Sequence, residues 1–337
     1  MKNLFKKAII ITDIHFGLKS NSILHNEDCL KFIKWVVEEA KKENCETCLF
    51  LGDWHNNRAS ISIITLNYSL RALEILNENF SQVFFIPGNH DLYYRDKRDV
   101  KSIEWAKHLK NIKIINDFTT NGNTTIIPWL VGKEFKKIKR VKSDYVFGHF
   151  ELPHFKMNAM VDMPDNGDIK REDFHNAGHV FSGHFHKRQT YKNITYIGNC
   201  FPHNYADVGD AERGCMILKW GEKPIYRTWP DQPTYAVYHL NELLADADNL
   251  LKKNMHVRVN VDSNVSYEEV NFIKETFTKT YGLREITLIP AKEEVSEVAG
   301  NAHISFETVD QIVTKQLSDI QSDTYDRNLL LSIYKNL

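Results

Sequence analysis

The chain has no excess of either charge, no paired set of cysteines and no long apolar run, and each absence removes a class. Lys and Arg (43) nearly cancel Asp and Glu (44) over 337 residues, for a net charge of −1. Whole-chain charge therefore does not mark a nucleic-acid binder, although a groove can still be locally positive. Five cysteines, an odd number, build no disulfide framework and read as reduced thiols. Cys45-Glu46-Thr47-Cys48 has redox or zinc spacing, but no second pair matches it and Cys48 opens an apolar strand, so the pair reads as structural. Met1 to Lys7 is basic but lacks the apolar stretch and small-residue cleavage site of a signal peptide. No apolar run approaches the ~20 residues that span a bilayer. These features lead us to expect a cytoplasmic protein with no membrane partner, long enough for a main domain plus a smaller one.

Five short apolar runs stand out, and each ends on residues of metal-ligand type. Ala8-Ile9-Ile10-Ile11-Thr12 leads into Asp13-Ile14-His15, and Cys48-Leu49-Phe50-Leu51-Gly52 into Asp53. Val83-Phe84-Phe85-Ile86-Pro87-Gly88 leads into Asn89-His90-Asp91, Tyr145-Val146-Phe147-Gly148 into His149, and Val180-Phe181-Ser182-Gly183 into His184-Phe185-His186. Apolar runs of this length bounded by Gly read as strands buried on both faces. Open α/β sheets place ligands beyond the carboxyl ends of such strands, so carboxylate, imidazole and amide groups should gather at one edge of one sheet. One Asp or His after a strand is ordinarily a cap or a structural residue; five in order are not.

The donors are nitrogen and oxygen only. Two divalent cations about 3.5–4 Å apart clamp a phosphodiester and activate a water near neutral pH. Ions that close need a bridging anion, for which Asp53 is the natural choice. Asp13, His15 and one histidine of His184-Phe185-His186 complete one position, and Asn89, His149 and the other histidine complete the second. Several imidazoles suit Mn²⁺, Fe²⁺ or Zn²⁺ better than Mg²⁺. Two cations, two aspartates and a hydroxide leave about one net positive charge, which favours an anionic phosphate.

Helical periodicity fills the gaps between strands. Glu27 to Lys41 places Leu30, Ile33, Val37 and Ala40 on one face, and Thr65 to Asn77 does the same with Leu66, Leu70, Leu73 and Leu76. The second half is strand-rich to about Tyr226, and Trp229-Pro230-Asp231-Gln232-Pro233 reads as a boundary. Beyond it, His256–Val261 alternates as a strand, Ser266 with Glu269 forms a capping box opening a helix to about Thr280, and Glu285–Ile289 returns as a strand. A polar stretch from Lys292 to Gly300 leads to two helical stripes, one through Val309, Ile312, Val313, Leu317 and Ile320, the other through Leu329, Leu330 and Ile333. The basic run Lys133 to Lys142 reads as a solvated helix face more readily than as a phosphate contact. Tyr93, Tyr94 and Arg95 follow Asp91 directly and should line the rim of the cleft, where they can stack on bases or pair with phosphates; Arg58 is assigned to the same rim.

Asp13-x-His15, Gly52-Asp53, Gly88-Asn89-His90-Asp91, Gly148-His149 and Gly183-His184-x-His186 together resemble the calcineurin-like metallophosphoesterases. Ile127-Pro128-Trp129, Gly148-His149-Phe150-Glu151-Leu152, Tyr196-Ile197-Gly198 and Arg213-Gly214 narrow the resemblance to SbcD-type DNA nucleases, including the recombination nuclease subunits of T-even-like phages. The likeness implies an α/β fold, a four-layer sandwich of two packed sheets flanked by helices, with a small α+β capping domain and C-terminal helices. It divides the chain into a nuclease domain (1–230), a DNA-capping domain (231–292) and a linker with helices that bind the ATPase partner (293–337). It places Asp13, His15, Asp53 and His186 on the first metal and Asp53, Asn89, His149 and His184 on the second, with manganese the first choice. His90 would act on the transition state or leaving group, oriented by Asp91. Cellular relatives carry a second functional histidine three residues after the bridging aspartate; here Asn56 stands there, and His55 is the candidate to fill that role. The phosphoprotein phosphatases differ, with Asp-Arg-Gly after the bridging aspartate where this chain has Asn56-Asn57-Arg58.

The implied function is DNA-end processing in recombination and double-strand break repair with an SbcC-type coiled-coil, SMC-like ATPase. It comprises a three-prime to five-prime duplex exonuclease and a single-strand endonuclease. Relatives commonly form homodimers, though no residue pattern here demands one. Two rival readings are a small-molecule or cyclic-nucleotide phosphodiesterase, which would not need the C-terminal third, and a non-catalytic subunit of the ATPase complex, which would not keep a full ligand set.

Overall fold

The structure, a computed structural model, describes residues 3–157, 161–165, 167, 169–261 and 267–290. The strands β1 (Lys7–Ile11), β2 (Thr47–Phe50), β3 (Gln82–Phe85) and β4 (Ile112–Ile114) pair in parallel, each following a β-prone run. Next come β5 (Thr119–Asn121), β6 (Thr124–Ile127), β7 (Tyr145–His149), β8 (His179–Gly183), β9 (Gln189–Tyr191) and β10 (Ile194–Tyr196), which form a second sheet in the order β5-β6-β7-β8-β10-β9. Then β11 (Gly214–Lys219) returns antiparallel to β1 and β12 (Ile225–Thr228) extends it, so the first sheet reads β12-β11-β1-β2-β3-β4.

Side-chain alternation along these strands divides the core. Ile9, Ile11, Phe50 and Phe85 face the helices Ile23–Glu43 and Ile63–Asn79. Ala8, Ile10, Leu49 and Phe84 instead meet Phe147 and Phe181 of the second sheet, so the two sheets pack face to face. The outer face of the second sheet buries Val146, Val180, Ile194 and Tyr196 under Phe150, Phe155 and Phe174, covered by loops and short turns such as Phe135–Ile138 and Arg171–Phe174. Both long helices start at serines: Ser22 accepts from the His25 N–H and Ser62 from the Thr65 N–H. The five cysteines are buried free thiols, and no helix among the described residues is long and apolar enough to cross a membrane.

One expectation is corrected here. The ligand-bearing strands do not share one sheet: β1, β2 and β3 belong to the first and β7 and β8 to the second. An apolar run reports that a strand is buried on both faces, not which strand it pairs with.

The C-terminal module is larger than its sequence pattern suggested. A strand β13 (Thr234–His239) and a helix (Leu240–Leu250) precede β14 (Met255–Val261), the helix Tyr267–Tyr281 and β15 (Glu285–Pro290). The half-exposed pattern of β13, placed just after the prolines, hid it. The three strands form a parallel sheet over a core of Leu243, Val257, Val259 and Ile286. This module nevertheless belongs to the same compact unit as the sandwich, Met1–Ala291. Ser266, the linker and the two C-terminal helical stripes lie outside the described residues.

Arg284 joins the module to the first long helix. Its Nη2 donates to Asp28 Oδ1 at 2.8 Å and its Nη1 to Oδ2, with the side chains 9% and 2% exposed. Breaking a buried pair strands the surviving charge. Asp28→Ala is expected to cost about 3–5 kcal/mol in urea unfolding, and Arg284→Met in the same chain should recover most of it.

Candidate dimetal centre

The expected ligands sit where the chain leaves its strands in unusual conformations. Asp13, His15, Asp53 and His184 all have left-handed backbone (φ 54°, 53°, 61° and 93°), which is strained in non-glycine residues and clusters at functional sites. Hydrogen bonds hold the turns: Asp13 N–H donates to Gly52 O at 2.9 Å and His15 N–H to Asp53 O at 3.1 Å. Two glycines make the approach possible. A Cβ on Gly52 would fall 2.3 Å from His149 Nδ1, and one on Gly88 would fall 2.2 Å from Asp53 Oδ1.

Two sheets thus bring Asp13, His15, Asp53, Asn89, His149, His184 and His186 together. His149 Nδ1 donates to Leu51 O at 2.7 Å, which leaves its Nε2 lone pair 3.1 Å from Asn89 Oδ1 and 3.5 Å from Asp53 Oδ2. His184 repeats the arrangement: Nε2 donates to Glu151 Oε2 at 3.1 Å, and Nδ1 faces Asn89 Oδ1 at 3.0 Å. Lone pairs therefore meet lone pairs, which is repulsive unless a proton or a cation lies between them. Burial works against charging His149, yet the Asp53 carboxylate prevails and lifts its pKa to about 9. Asp53, which burial alone would raise, is held well below the usual carboxylate range by His149 and His15.

The other half of the cluster has the same deficit. His15 is buried with neither ring nitrogen hydrogen-bonded. Its Nε2 lies 3.8 Å from Asp13 Oδ1 and 3.7 Å from Asp53 Oδ2, and His186 Nε2 lies 3.9 Å from Asp13 Oδ1. Asp13 is steadied by Thr12 Oγ1 at 2.6 Å and the His184 N–H at 3.0 Å. Single donor atoms of Asp53, His149 and His184 lie within 4.8 Å of one another, as do those of His15, Asp53 and His90. A nitrogen and oxygen donor set with orphaned buried imidazoles fits divalent cations, with Asp53 shared between the two halves.

His90 is only partly buried. Its N–H donates to Asp53 Oδ1 at 2.9 Å and its Nδ1 to the Asn56 carbonyl at 2.7 Å, leaving Nε2 free beside His15, whose ring centre is 5.0 Å away. Burial holds the His90 pKa below the usual histidine value despite the Asp53 charge. The residue that orients this ring is therefore Asn56, through its backbone oxygen, and not Asp91 as the family resemblance implied. Asp91 is fully buried and accepts four backbone N–H groups, those of Asp53 and Gly88 at 2.9 Å, Trp54 at 3.0 Å and His55 at 3.1 Å. It clamps the Asp53 turn to the Gly88 turn. Burial and the Asp53 charge push its pKa up to about 7, against the pull of the Gly88 and His55 N–H groups.

His55 does not face the cluster. Its Nδ1 pairs with Ser102 Oγ at 2.8 Å and its Nε2 with Ser69 Oγ at 2.9 Å, and burial drops its pKa to about 3. With both nitrogens engaged in the core, it has no atom left for a substrate, which corrects the expectation of a catalytic role. Tyr93, Tyr94 and Arg95 lie exposed on the loop after Asp91, Tyr93 edge-on to Tyr94 at 4.9 Å. Arg58 is part-exposed and close enough for its charge to reach His90. Two residues went unassigned in the sequence. Glu151 orients His184 from the segment after His149, and His203, outside every ligand-bearing turn, packs its ring 5.4 Å from His15 and 5.2 Å from His186. Asp91→Asn would set an amide N–H₂ against backbone N–H donors; unfolding in urea should show a loss of about 2–4 kcal/mol, together with weaker Mn²⁺ binding by calorimetry.

Residues 6–188, more than half of the chain, match the calcineurin-like phosphoesterase family. Among characterised proteins, exonuclease subunit 1 of Enterobacteria phage T4 is 26% identical over 213 residues, 60% of this chain and 62% of that protein, so the similarity stops short of two thirds of the relative's length. Among solved structures, the Pseudomonas putida nuclease MPE is 17% identical, with 67% of this chain and 80% of that one covered at a TM-score of 0.31. A dimetal phosphatase from Danio rerio is 11% identical, with 66% and 96% covered at 0.42. Given the length matched and the donors gathered at the strand ends, the chain belongs to the calcineurin-like phosphoesterase family.

Proposed function

We propose that the chain is a two-metal DNA nuclease, a duplex exonuclease of three-prime to five-prime polarity and a single-strand endonuclease. In this reading it works with an SbcC-type, SMC-like ATPase in recombination and double-strand break repair, inside the cell. The observation that carries the hydrolytic part is the convergence of lone pairs on Asp13, His15, Asp53 and His186, and on Asp53, Asn89, His149 and His184, beside the free Nε2 of His90. The assignment to DNA rests on the similarity to the phage exonuclease subunit. The exposed Tyr93-Tyr94-Arg95 loop and Arg58 at the rim support it, offering stacking faces and cations to a nucleic-acid backbone. Residues 231–292 would form the DNA-capping domain, and residues 293–337 the linker and helices that bind the ATPase partner.

Bound divalent cations, manganese first, would supply charge neutralisation at the phosphate and activation of a water. The chain's own groups do the rest. Asp53 would be shared between the two ions and Asn89 would offer an amide oxygen to the second, while Leu51 O and Glu151 fix which imidazole nitrogens of His149 and His184 carry the lone pair. His90, its Nδ1–H tied to Asn56, presents Nε2 to exchange a proton with a phosphate or leaving oxygen. Trp129, 5.2 Å from His184 and 5.8 Å from His149, walls the second position.

The test is digestion of end-labelled duplex DNA with Mn²⁺, Mg²⁺ or EDTA, with bis-p-nitrophenyl phosphate as a small substrate. Manganese-dependent shortening of the duplex is expected. His90→Ala should keep its metal and lose about 10²-fold or more in rate, whereas Asn89→Ala or His184→Ala should lose both. Hydrolysis of the small ester with DNA untouched, even with the ATPase added, would exclude a nuclease in favour of a small-molecule phosphodiesterase.

A further inference from the structure

We propose that His203 is a third imidazole donor at the first metal position, beside His15 and His186. The inference rests on the two-metal reading and deepens it. His203 lies on the segment after β10, away from all five strand-end motifs, and its side chain is fully buried. Among the described residues, His15 and His203 are the two histidines with both ring nitrogens buried and without a hydrogen-bond partner. A buried imidazole normally finds at least one partner, because leaving polar atoms unpaired forfeits their hydration. His203 thus carries the same signature as an expected ligand, and it stands next to that ligand. One ring nitrogen each from His15, His186 and His203 lie within 4.8 Å of one another.

The ring is built into place. Its backbone N–H donates to Asp207 Oδ2 at 2.8 Å, and its carbonyl accepts from the Tyr235 hydroxyl of the C-terminal module, also at 2.8 Å. Phe201 packs edge-on at 5.2 Å and His25 at 5.5 Å. His25 is not a competing donor, since its Nε2 is engaged by the His15 carbonyl at 3.0 Å. With His203 included, the first position holds three imidazoles and two carboxylates, and the second holds two imidazoles, an amide oxygen and one carboxylate. The two positions then differ in chemistry: the first is richer in nitrogen and favours Zn²⁺, Co²⁺ or Fe²⁺ over Mg²⁺ more strongly than the second does.

The experiment strips the full chain with EDTA and titrates wild type, His203→Leu, His203→Gln and His186→Ala with Co²⁺ and Mn²⁺ by calorimetry. Bound ions are counted by mass spectrometry, and melting is followed with and without metal. Wild type should bind two ions. His203→Leu should bind one of them at least about 10-fold more weakly, as His186→Ala does, with His203→Gln in between. Without metal, His203→Leu should melt at or above the wild-type temperature, because two orphaned polar atoms are gone, yet gain less on adding Co²⁺. Two ions at unchanged affinity, with one melting shift common to both conditions, would reduce His203 to a packing residue and leave the two-metal reading standing. No ion bound by wild type would overturn both. If the variants do not fold, a crystal structure of Mn²⁺-soaked wild type decides: a His203 ring nitrogen within about 2.3 Å of an ion supports the assignment, and one well beyond that distance rejects it.

Discussion

Asp53 Oδ2 stands 3.7 Å from His15 Nε2 and 3.5 Å from His149 Nε2, and Asn89 Oδ1 faces two imidazole nitrogens at 3.0 and 3.1 Å. With neutral imidazoles whose N–H groups are already given to Leu51 O and Glu151, no proton remains for these acceptors. Folding drives them together, since hydrophobic burial in both sheets and the helices above fixes where the strands end. The resulting cluster of lone pairs favours positive charge, supplied by a proton on His149 in the metal-free chain and by cations otherwise. The surrounding polar contacts, from Leu51 O to Glu151, decide which nitrogen presents its lone pair.

Holding such a cluster in place requires backbone order beyond what packing gives. Four of the candidate ligand residues adopt left-handed conformations, each costing free energy that the surroundings must offset. Asp91 offsets it at one of them, Asp53. One carboxylate accepts four backbone N–H groups from two separate turns, so the Asp53 and Gly88 turns behave as one rigid piece. The glycines at 52 and 88 permit this, since any side chain there would displace His149 or Asp53. Asp91 thus serves the site without touching the reacting groups.

The C-terminal module is tied into the same structure. Arg284 pairs with Asp28 on the long helix whose His25 bonds the His15 carbonyl, and Tyr235 bonds the His203 carbonyl. Tyr235 in turn stacks on His256 at 4.6 Å, with the ring planes nearly parallel. Both chains of contact thus end at residues of the candidate site, His15 and His203.

The sequence by itself determined the local chemistry. Runs such as Ala8–Ile11 and Val83–Phe85 form strands, the leucine stripes of residues 65–77 form a helix, and the donors sit just beyond strand ends because glycine and polar residues stop apolar runs. These are short-range consequences of periodicity and turn chemistry, and they sufficed to gather seven donors and His90 in advance. Only the tertiary structure decided matters of long-range partnership. Strand pairing put the donors on two sheets instead of one. Two serine hydroxyls drew His55 into the core, the Asn56 carbonyl displaced Asp91 as the orienting partner of His90, and the segment after β10 set His203 against His15. A residue's type states what bonds it can make; which partner reaches it first depends on how distant segments pack, and no local pattern in the chain encodes that.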